Sequence, residues 1–128
     1  MCIFCDIIEG KIPSKKVYED DNILAILDIS QATYGHTLVM PKKHYTNFLE
    51  MDKQEYEQLM GIVQDLSKLI INKLNAEGCN ILINTNEAAG QSVMHTHVHI
   101  LPRYSTDNLK IDFKENHIDL QEVLDKLK

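Results

Sequence analysis

Apolar positions along this chain change their period several times, and each change marks an element. Ile3, Phe4, Ile7 and Ile8 recur at helical spacing over residues 3–9, and Gly10 ends the run. Lys11 to Ser14, which contains Pro13, reads as a turn. Val17-Tyr18 and then Asn22 to Ile29 predict strands separated by the acidic turn Glu19-Asp20-Asp21. His36 to Met40 predicts another, stopped by Pro41. The clearest pattern comes next. Tyr56, Leu59, Met60, Val63, Leu66, Ile70 and Leu74 trace one apolar stripe of a long helix. Asp52 with Glu55 three residues on predicts a capping box at its start, and Gly78 predicts its stop. Ile81 to Asn84 and Val93 to Leu101 read as strands joined by the polar loop Thr85–Ser92, with Pro102 closing the last one. Beyond Arg103 the chain is polar, with a second, weaker helix from Asp119 to Leu127. Neither a repeat nor a linker interrupts this, and the order of elements predicts an α+β class.

Composition narrows the function. With 128 residues, 44% hydrophobic and 25% charged, the chain reads as one folded domain over 1–128. A formal net charge of -6 argues against a nucleic-acid binder that lives on phosphate contacts. No apolar run approaches the ~20 residues that cross a bilayer, so no membrane partner is expected. Met1-Cys2-Ile3-Phe4-Cys5-Asp6 lacks the basic start of a signal peptide, which predicts a cytoplasmic protein with reduced thiols. Of the three cysteines, Cys2 and Cys5 are spaced for a metal site rather than a disulfide framework, and Cys79 reads as a buried strand residue.

The histidines carry the chemistry. His95-Thr96-His97-Val98-His99 places three imidazoles at alternate positions, which in a strand share one face, while Thr96, Val98 and Ile100 share the other. Such a row serves as a metal platform or presents a neutral imidazole as nucleophile toward phosphorus, and spacing alone does not separate the two. The segment before it, Asn84 to Val93, supplies Gly90, the amides of Asn84 and Gln91, and the Ser92 hydroxyl, groups that donate to phosphate oxygens.

Gly90-Gln91-Ser92-Val93-Met94-His95-Thr96-His97-Val98-His99-Ile100-Leu101-Pro102-Arg103 resembles the signature of the histidine triad (HIT) family. Three further blocks resemble that family in the same order: Ile3 to Ile8, Asp28-Ile29-Ser30, and Gly35 to His44. The resemblance covers residues 3–103; residues 104–128 are a tail of unknown role. It implies an antiparallel sheet of about five strands with one long helix packed across it, paired as a homodimer. It also implies a purine nucleotide hydrolase or nucleotidyl transferase in which His97 attacks the α-phosphorus. His99 would then hold a phosphate oxygen, Ser92 and Gln91 would contact the phosphate or the leaving group, and His36 would orient the row. The same resemblance puts the ribose on Asp28 and the purine against Ile3, Phe4, Ile7, Ile26 and Ile29. Asn84 would reach phosphate or ribose, and Lys42 and Lys43 could offset the negative field.

For the Cys pair, His44 and His95 are the available partners, and some bacterial members of the family resemble this arrangement. The expected set is therefore Cys2, Cys5, His44 and His95 around a structural Zn2+, with no cofactor needed for the chemistry. Two substrates remain open at this level, adenosine phosphoramidates and dinucleoside polyphosphates. So do two other classes: a nucleotide sensor with little turnover, and a metallohydrolase liganded by His95, His97 and His99. The last lacks a nearby carboxylate, since no Asp or Glu lies between Gln91 and Tyr104.

Overall fold

The computed structural model describes residues 2–128. Helix α1 (Ile3–Ile8) starts at Cys2, whose Sγ accepts the Cys5 N–H, and the chain leaves it through Gly10 at φ +80°. Strands β1 (Lys16–Glu19) and β2 (Ile23–Leu27) turn on Asp20, which accepts the N–H groups of both Asn22 and Ile23. After β3 (Thr37–Pro41) comes the long helix α2 (Lys53–Leu74), then β4 (Gly78–Leu82), β5 (Val98–Arg103) and the terminal helix α3 (Leu120–Leu127). The strands form one sheet in the order β1-β2-β3-β5-β4, antiparallel throughout. This is the five-stranded α+β architecture that the pattern and the resemblance implied.

Each face of the sheet buries its own cluster. Ile23, Ala25, Val39, Val98 and Ile100 alternate onto one face and meet Leu59, Val63, Leu66 and Ile70 of α2, the core of the predicted stripe. Leu24, Ile26, Leu38 and Met40 alternate onto the other, where α1 covers them with Phe4 and Ile7. The period of two is thus satisfied twice, which is why β2 and β3 read as continuous apolar runs. Cys79 lies half-buried on β4 against the larger cluster.

Several boundaries differ from the pattern. Asp52 caps α2 through the Gln54 N–H at 2.8 Å, but Glu55 does not close a capping box; its carboxylate accepts the Tyr45 hydroxyl instead. The helix ends three residues before Gly78, on Asn75 in the left-handed region at φ 54°, and Gly78 opens β4. Asparagine supplies the same stop as glycine because its short polar side chain tolerates that conformation. Pro102 stands inside β5 rather than after it. Strand β3 pairs only with Val98 to Ile100, so the proline lies past the end of that neighbour and removes no ladder bond on that side. Finally, β5 begins at Val98 and not at Val93, so His95 and His97 precede the ladder.

Candidate active site and metal centre

Residues 93–97 run alongside the loop after β3 instead of along β3 itself. The Thr96 N–H and hydroxyl both donate to the Tyr45 carbonyl, at 2.8 and 3.2 Å, and take the place of ladder bonds. The alternation still gathers the imidazoles toward α1. Phe4 meets the His95 and His97 rings edge-on at 6.0 and 5.0 Å, and His97 and His99 lie 5.0 Å apart.

Hydrogen bonds settle the tautomer of each ring. His97 Nδ1 lies 2.7 Å from the His95 carbonyl, which can only accept, so Nδ1 carries the proton. Burial, at 7% exposure, lowers the basicity of the ring and keeps it neutral. The lone pair is therefore on Nε2, which has no hydrogen-bond partner among the described residues. A second relay ends at His99. The Ala32 N–H donates to His36 Nδ1 at 3.2 Å, so His36 carries its proton on Nε2 and donates it to His99 Nδ1 at 2.9 Å. His99 is left with an Nε2–H donor. Burial, then the His97 and His36 rings beside it, pushes His99 down to about 4. His36, buried as well, is also held below its ordinary value. Asp28 Oδ2 lies 3.6 Å from His36 Nε2, too far for a hydrogen bond, and with the ring neutral the pair is no salt bridge. The carboxylate accepts the Ser30 N–H through Oδ1 and keeps acceptor capacity on Oδ2.

The loop carrying Asp28 and His36 is closed by a residue that the sequence did not single out. Gln31 donates to the carbonyls of Asp28 and His36 and accepts the Gly35 N–H at 2.8 Å. A lone glutamine in a turn carries no signal of this; Gly35, at φ +94° under Leu74 and Pro102, was the readable sign of a tight passage.

The other anticipated residues divide. Ile3 is half exposed and Ile29 fully exposed, while Phe4, Ile7 and Ile26 are core residues of the α1 cluster and form a floor beneath. Ser92 is exposed, its hydroxyl without a hydrogen-bond partner among the described residues, and Asn84 lies against Gly90, which turns the loop at φ +96°. Gln91 departs from expectation. It is 4% exposed, and its amide donates to the Thr46 and Val93 carbonyls and accepts the Asn86 N–H, so it braces the loop and has nothing left to offer a phosphate. Lys42 is paired with Glu19 at 2.9 Å, and Lys43 lies over the Tyr45 ring. Arg103 is spent on Asp107, Asn80 and the Leu109 carbonyl, an anchor for the start of the tail.

His95 is fully buried and faces away from this site. Its Nε2–H donates to the Pro41 carbonyl at 2.7 Å, which turns an unprotonated Nδ1 toward Cys2, Cys5 and His44. Separations from that Nδ1 are 3.4 Å to Cys2 Sγ, 3.6 Å to Cys5 Sγ and 3.1 Å to His44 Nδ1, with Cys5 Sγ 3.4 Å from His44 Nδ1. A tetrahedral zinc with bonds of about 2.0–2.3 Å spaces its donors roughly 3.3–3.8 Å apart. The three separations that involve sulfur fall in that range and the His44–His95 one, at 3.1 Å, is slightly shorter, so the donor set fits that ion with a small opening of the two rings. The carbonyl behind His95 is the partner that a metal-binding imidazole ordinarily has. With no cation, burial and the Cys2 thiol push Cys5 up to about 11. A second group, Asp28, His36 and His99, also brings its donor atoms close together, but His36 already accepts the Ala32 N–H on Nδ1 and needs its proton on Nε2.

An antiparallel five-stranded sheet with a long helix on one face, and a histidine pair with free nitrogens at the mouth of the other, defines the class. Comparison then gives the family. The HIT domain model matches residues 9–106, and the chain belongs to that family. An uncharacterized HIT-like protein of Methanocaldococcus jannaschii is 47% identical over 100% of this chain and 99% of its own length. Adenylylsulfatase HINT3 of Arabidopsis thaliana is 40% identical over 84% of this chain and 55% of the relative. Among solved structures, SMU.412c of Streptococcus mutans is 44% identical and superimposes with a TM-score of 0.92, covering 98% of this chain and 80% of that one. A Zn-bound histidine triad family protein of Mycobacterium smegmatis is 37% identical with a TM-score of 0.81, covering 90% and 84%.

Proposed function

We propose that the protein is a purine nucleotide hydrolase that cleaves adenosine phosphoramidates through a nucleotidyl-His97 intermediate. One observation carries the reading: Nδ1–H of His97 is committed to the His95 carbonyl, so a neutral ring offers its Nε2 lone pair beside the Nε2–H of His99. Nε2 of His97 attacks the α-phosphorus, the substrate P–N bond breaks, and the amine takes up a proton as it leaves. Water then breaks the phospho-imidazole bond and restores His97. His99 and Ser92 donate to phosphate oxygens, His36 orients His99, and Asp28 accepts from the ribose hydroxyls. Ile3 and Ile29, exposed at the rim, close on the purine.

Leaving-group charge favours phosphoramidates over dinucleoside polyphosphates. The titratable groups that act on the His97 and His99 rings are the Asp28 carboxylate and neighbouring imidazoles held neutral by burial. None of these is a cation, and Lys42 and Arg103 are already paired. A polyphosphate would enter with its charge unmatched, whereas an amine would not. The relative named for action on adenylyl sulfate is consistent with cleavage at an adenylyl phosphate carrying a small leaving group.

Cys2, Cys5, His44 and His95 would hold a structural zinc, in keeping with the Zn-bound relative. When bound, it would tie α1 to the loop after β3 and fix the His95 backbone whose carbonyl sets the His97 tautomer. It takes no part in the bond-breaking steps. A cytoplasmic homodimer without nucleic-acid or membrane partners completes the reading; no described helix is long and apolar enough to cross a membrane.

The test compares turnover of adenosine 5′-phosphoramidate with that of diadenosine polyphosphates. His97→Ala should lose hydrolysis by at least about 1,000-fold while still binding AMP. Wild-type protein quenched in turnover should carry an acid-labile, base-stable nucleotide adduct. Full kcat in the variant, or no adduct in an active wild type, would exclude covalent catalysis by this imidazole; binding with neither turnover nor adduct would mark a sensor.

A further inference from the structure

The loop from β2 to β3 has two working ends. Asp28 at one end is placed to accept ribose hydroxyls, and His36 at the other passes its proton to His99. A backbone bond fastens the ends together, the Asp28 N–H donating to the His36 carbonyl at 3.0 Å. Gln31 is the one side chain, among the described residues, that hydrogen-bonds to the backbone of both. Its Nε2 donates to the Asp28 carbonyl at 2.5 Å and to the His36 carbonyl at 2.8 Å, while its Oε1 accepts the Gly35 N–H. Both N–H groups of the amide are therefore used. Yet Gln31 is an exposed residue. Water would satisfy the same amide without freezing a long side chain, so three bonds held at once cost rotamer freedom that only the fixed loop returns.

What this brace fixes is the place of a proton. Ala32 follows Gln31, and its N–H donates to His36 Nδ1 at 3.2 Å. That bond keeps the His36 proton on Nε2, from which it reaches His99 Nδ1 at 2.9 Å and leaves His99 with an Nε2–H. The reverse order is chemically as simple. If the Ala32 N–H turned away, His36 could carry its proton on Nδ1 and accept at Nε2 from His99. A phosphate oxygen would then face a lone pair on His99 in place of a donor. The peptide that prevents this is the one leaving Gln31, so the side chain that holds the Asp28 carbonyl also holds the relay in order.

We infer that Gln31 is a positioning residue that couples ribose recognition at Asp28 to the proton order of the His36–His99 pair, so that a ribose hydroxyl is felt in kcat. This coupling rests on the roles proposed above for Asp28 and His99. A ribose hydroxyl donating to Asp28 steadies that end of the loop. Gln31 carries the restraint to the His36 carbonyl and the Ala32 peptide, and His99 then presents its N–H in fixed geometry. A nucleotide without those hydroxyls still binds through base and phosphate but meets a looser donor.

The test uses the full chain and Gln31→Met, which keeps the length of the side chain, removes its three bonds and, at an exposed position, opens no cavity. Long-range proton–nitrogen correlation spectra of the substrate-free protein read the tautomers of His36 and His99. Wild type should show Nε2–H on both rings, and the variant a mixture on both. Kinetics then compare adenosine 5′-phosphoramidate with its 2′,3′-dideoxy analogue. Loss of the hydroxyls should lower wild-type kcat on the order of 30-fold but that of the variant by at most about 3-fold, with KM for the full substrate changed less than about 3-fold by the substitution. Tyr104→Phe removes a different bond to the same loop, at the Tyr34 carbonyl, and should keep the wild-type pattern. Unchanged tautomers in Gln31→Met, a ribose penalty confined to KM, equal kcat penalties in both proteins, or the same losses in Tyr104→Phe would each overturn the assignment. If the wild type turns over neither substrate, the hydrolase reading fails with the kinetic coupling, and the tautomer spectra alone decide whether Gln31 orders the relay.

Discussion

The protons on four imidazoles decide what this site can do. His97 and His95 each give one N–H to a backbone carbonyl, and each therefore keeps a lone pair on the other nitrogen, that of His95 turned to Cys2, Cys5 and His44. His36 works the other way round: it receives a backbone N–H and passes its own proton toward His99. Under the proposed mechanism, His36→Ala frees His99 to adopt the wrong tautomer, so kcat should fall on the order of 100-fold with KM changed far less, read by steady-state kinetics. Burial of these rings also has a consequence for stability. The folded state holds His36 and His99 neutral, His99 down to about 4, whereas an unfolded chain protonates them near the ordinary value of 6.5. Between those values the unfolded state binds more protons, so folding stability must fall as pH drops from about 6.5 toward about 4. Urea titrations at pH 7, 6 and 5 measure the slope, and His99→Asn should flatten it.

At the scale of elements, the site depends on two turns that take unusual backbone. The passage from β2 to β3 packs against α2 and β5 at Gly35, where a Cβ would clash with Leu74 Cδ1 and stand 3.2 Å from Pro102 Cγ. Since φ is +94° as well, Gly35→Ala combines a clash with left-handed strain and should cost about 2 kcal/mol or more, measured by chemical denaturation. The loss should extend to activity, because Gly35 stands between the Gln31 latch and His36. The loop before β5 is held instead by the inward Gln91, whose three bonds replace a strand ladder that never forms there.

For the molecule as a whole, the candidate metal centre joins parts far apart in sequence: Cys2 at the start of α1 and Cys5 on it, His44 after β3, and His95 before β5. Binding energy at such a site is folding energy. Cys2→Ser/Cys5→Ser should lose zinc, read by metal analysis, and lower Tm by at least about 5 °C, while wild type treated with a strong chelator should shift the same way. Retention of full metal by the double variant would place the ion on other residues.

Much of this was legible in one dimension because its cause is local. The α2 stripe and the double-faced apolar runs of β2 and β3 express a fixed backbone period, and a period survives in the sequence. The three histidines were legible as a motif, although His95 and His97 precede the strand and His95 turns toward the Cys pair. The Cys pair and the choice of His44 and His95 were legible as chemistry. What needed the folded chain was every choice between equivalent groups. Glu55 bonds Tyr45 rather than its own helix, Gln91 faces in while Ser92 faces out, Lys42 and Arg103 are spent on carboxylates, and each imidazole places its proton. None of these follows from composition or spacing, because a hydrogen bond is decided by which partner stands within 3 Å, and distant segments become neighbours only when the sheet closes.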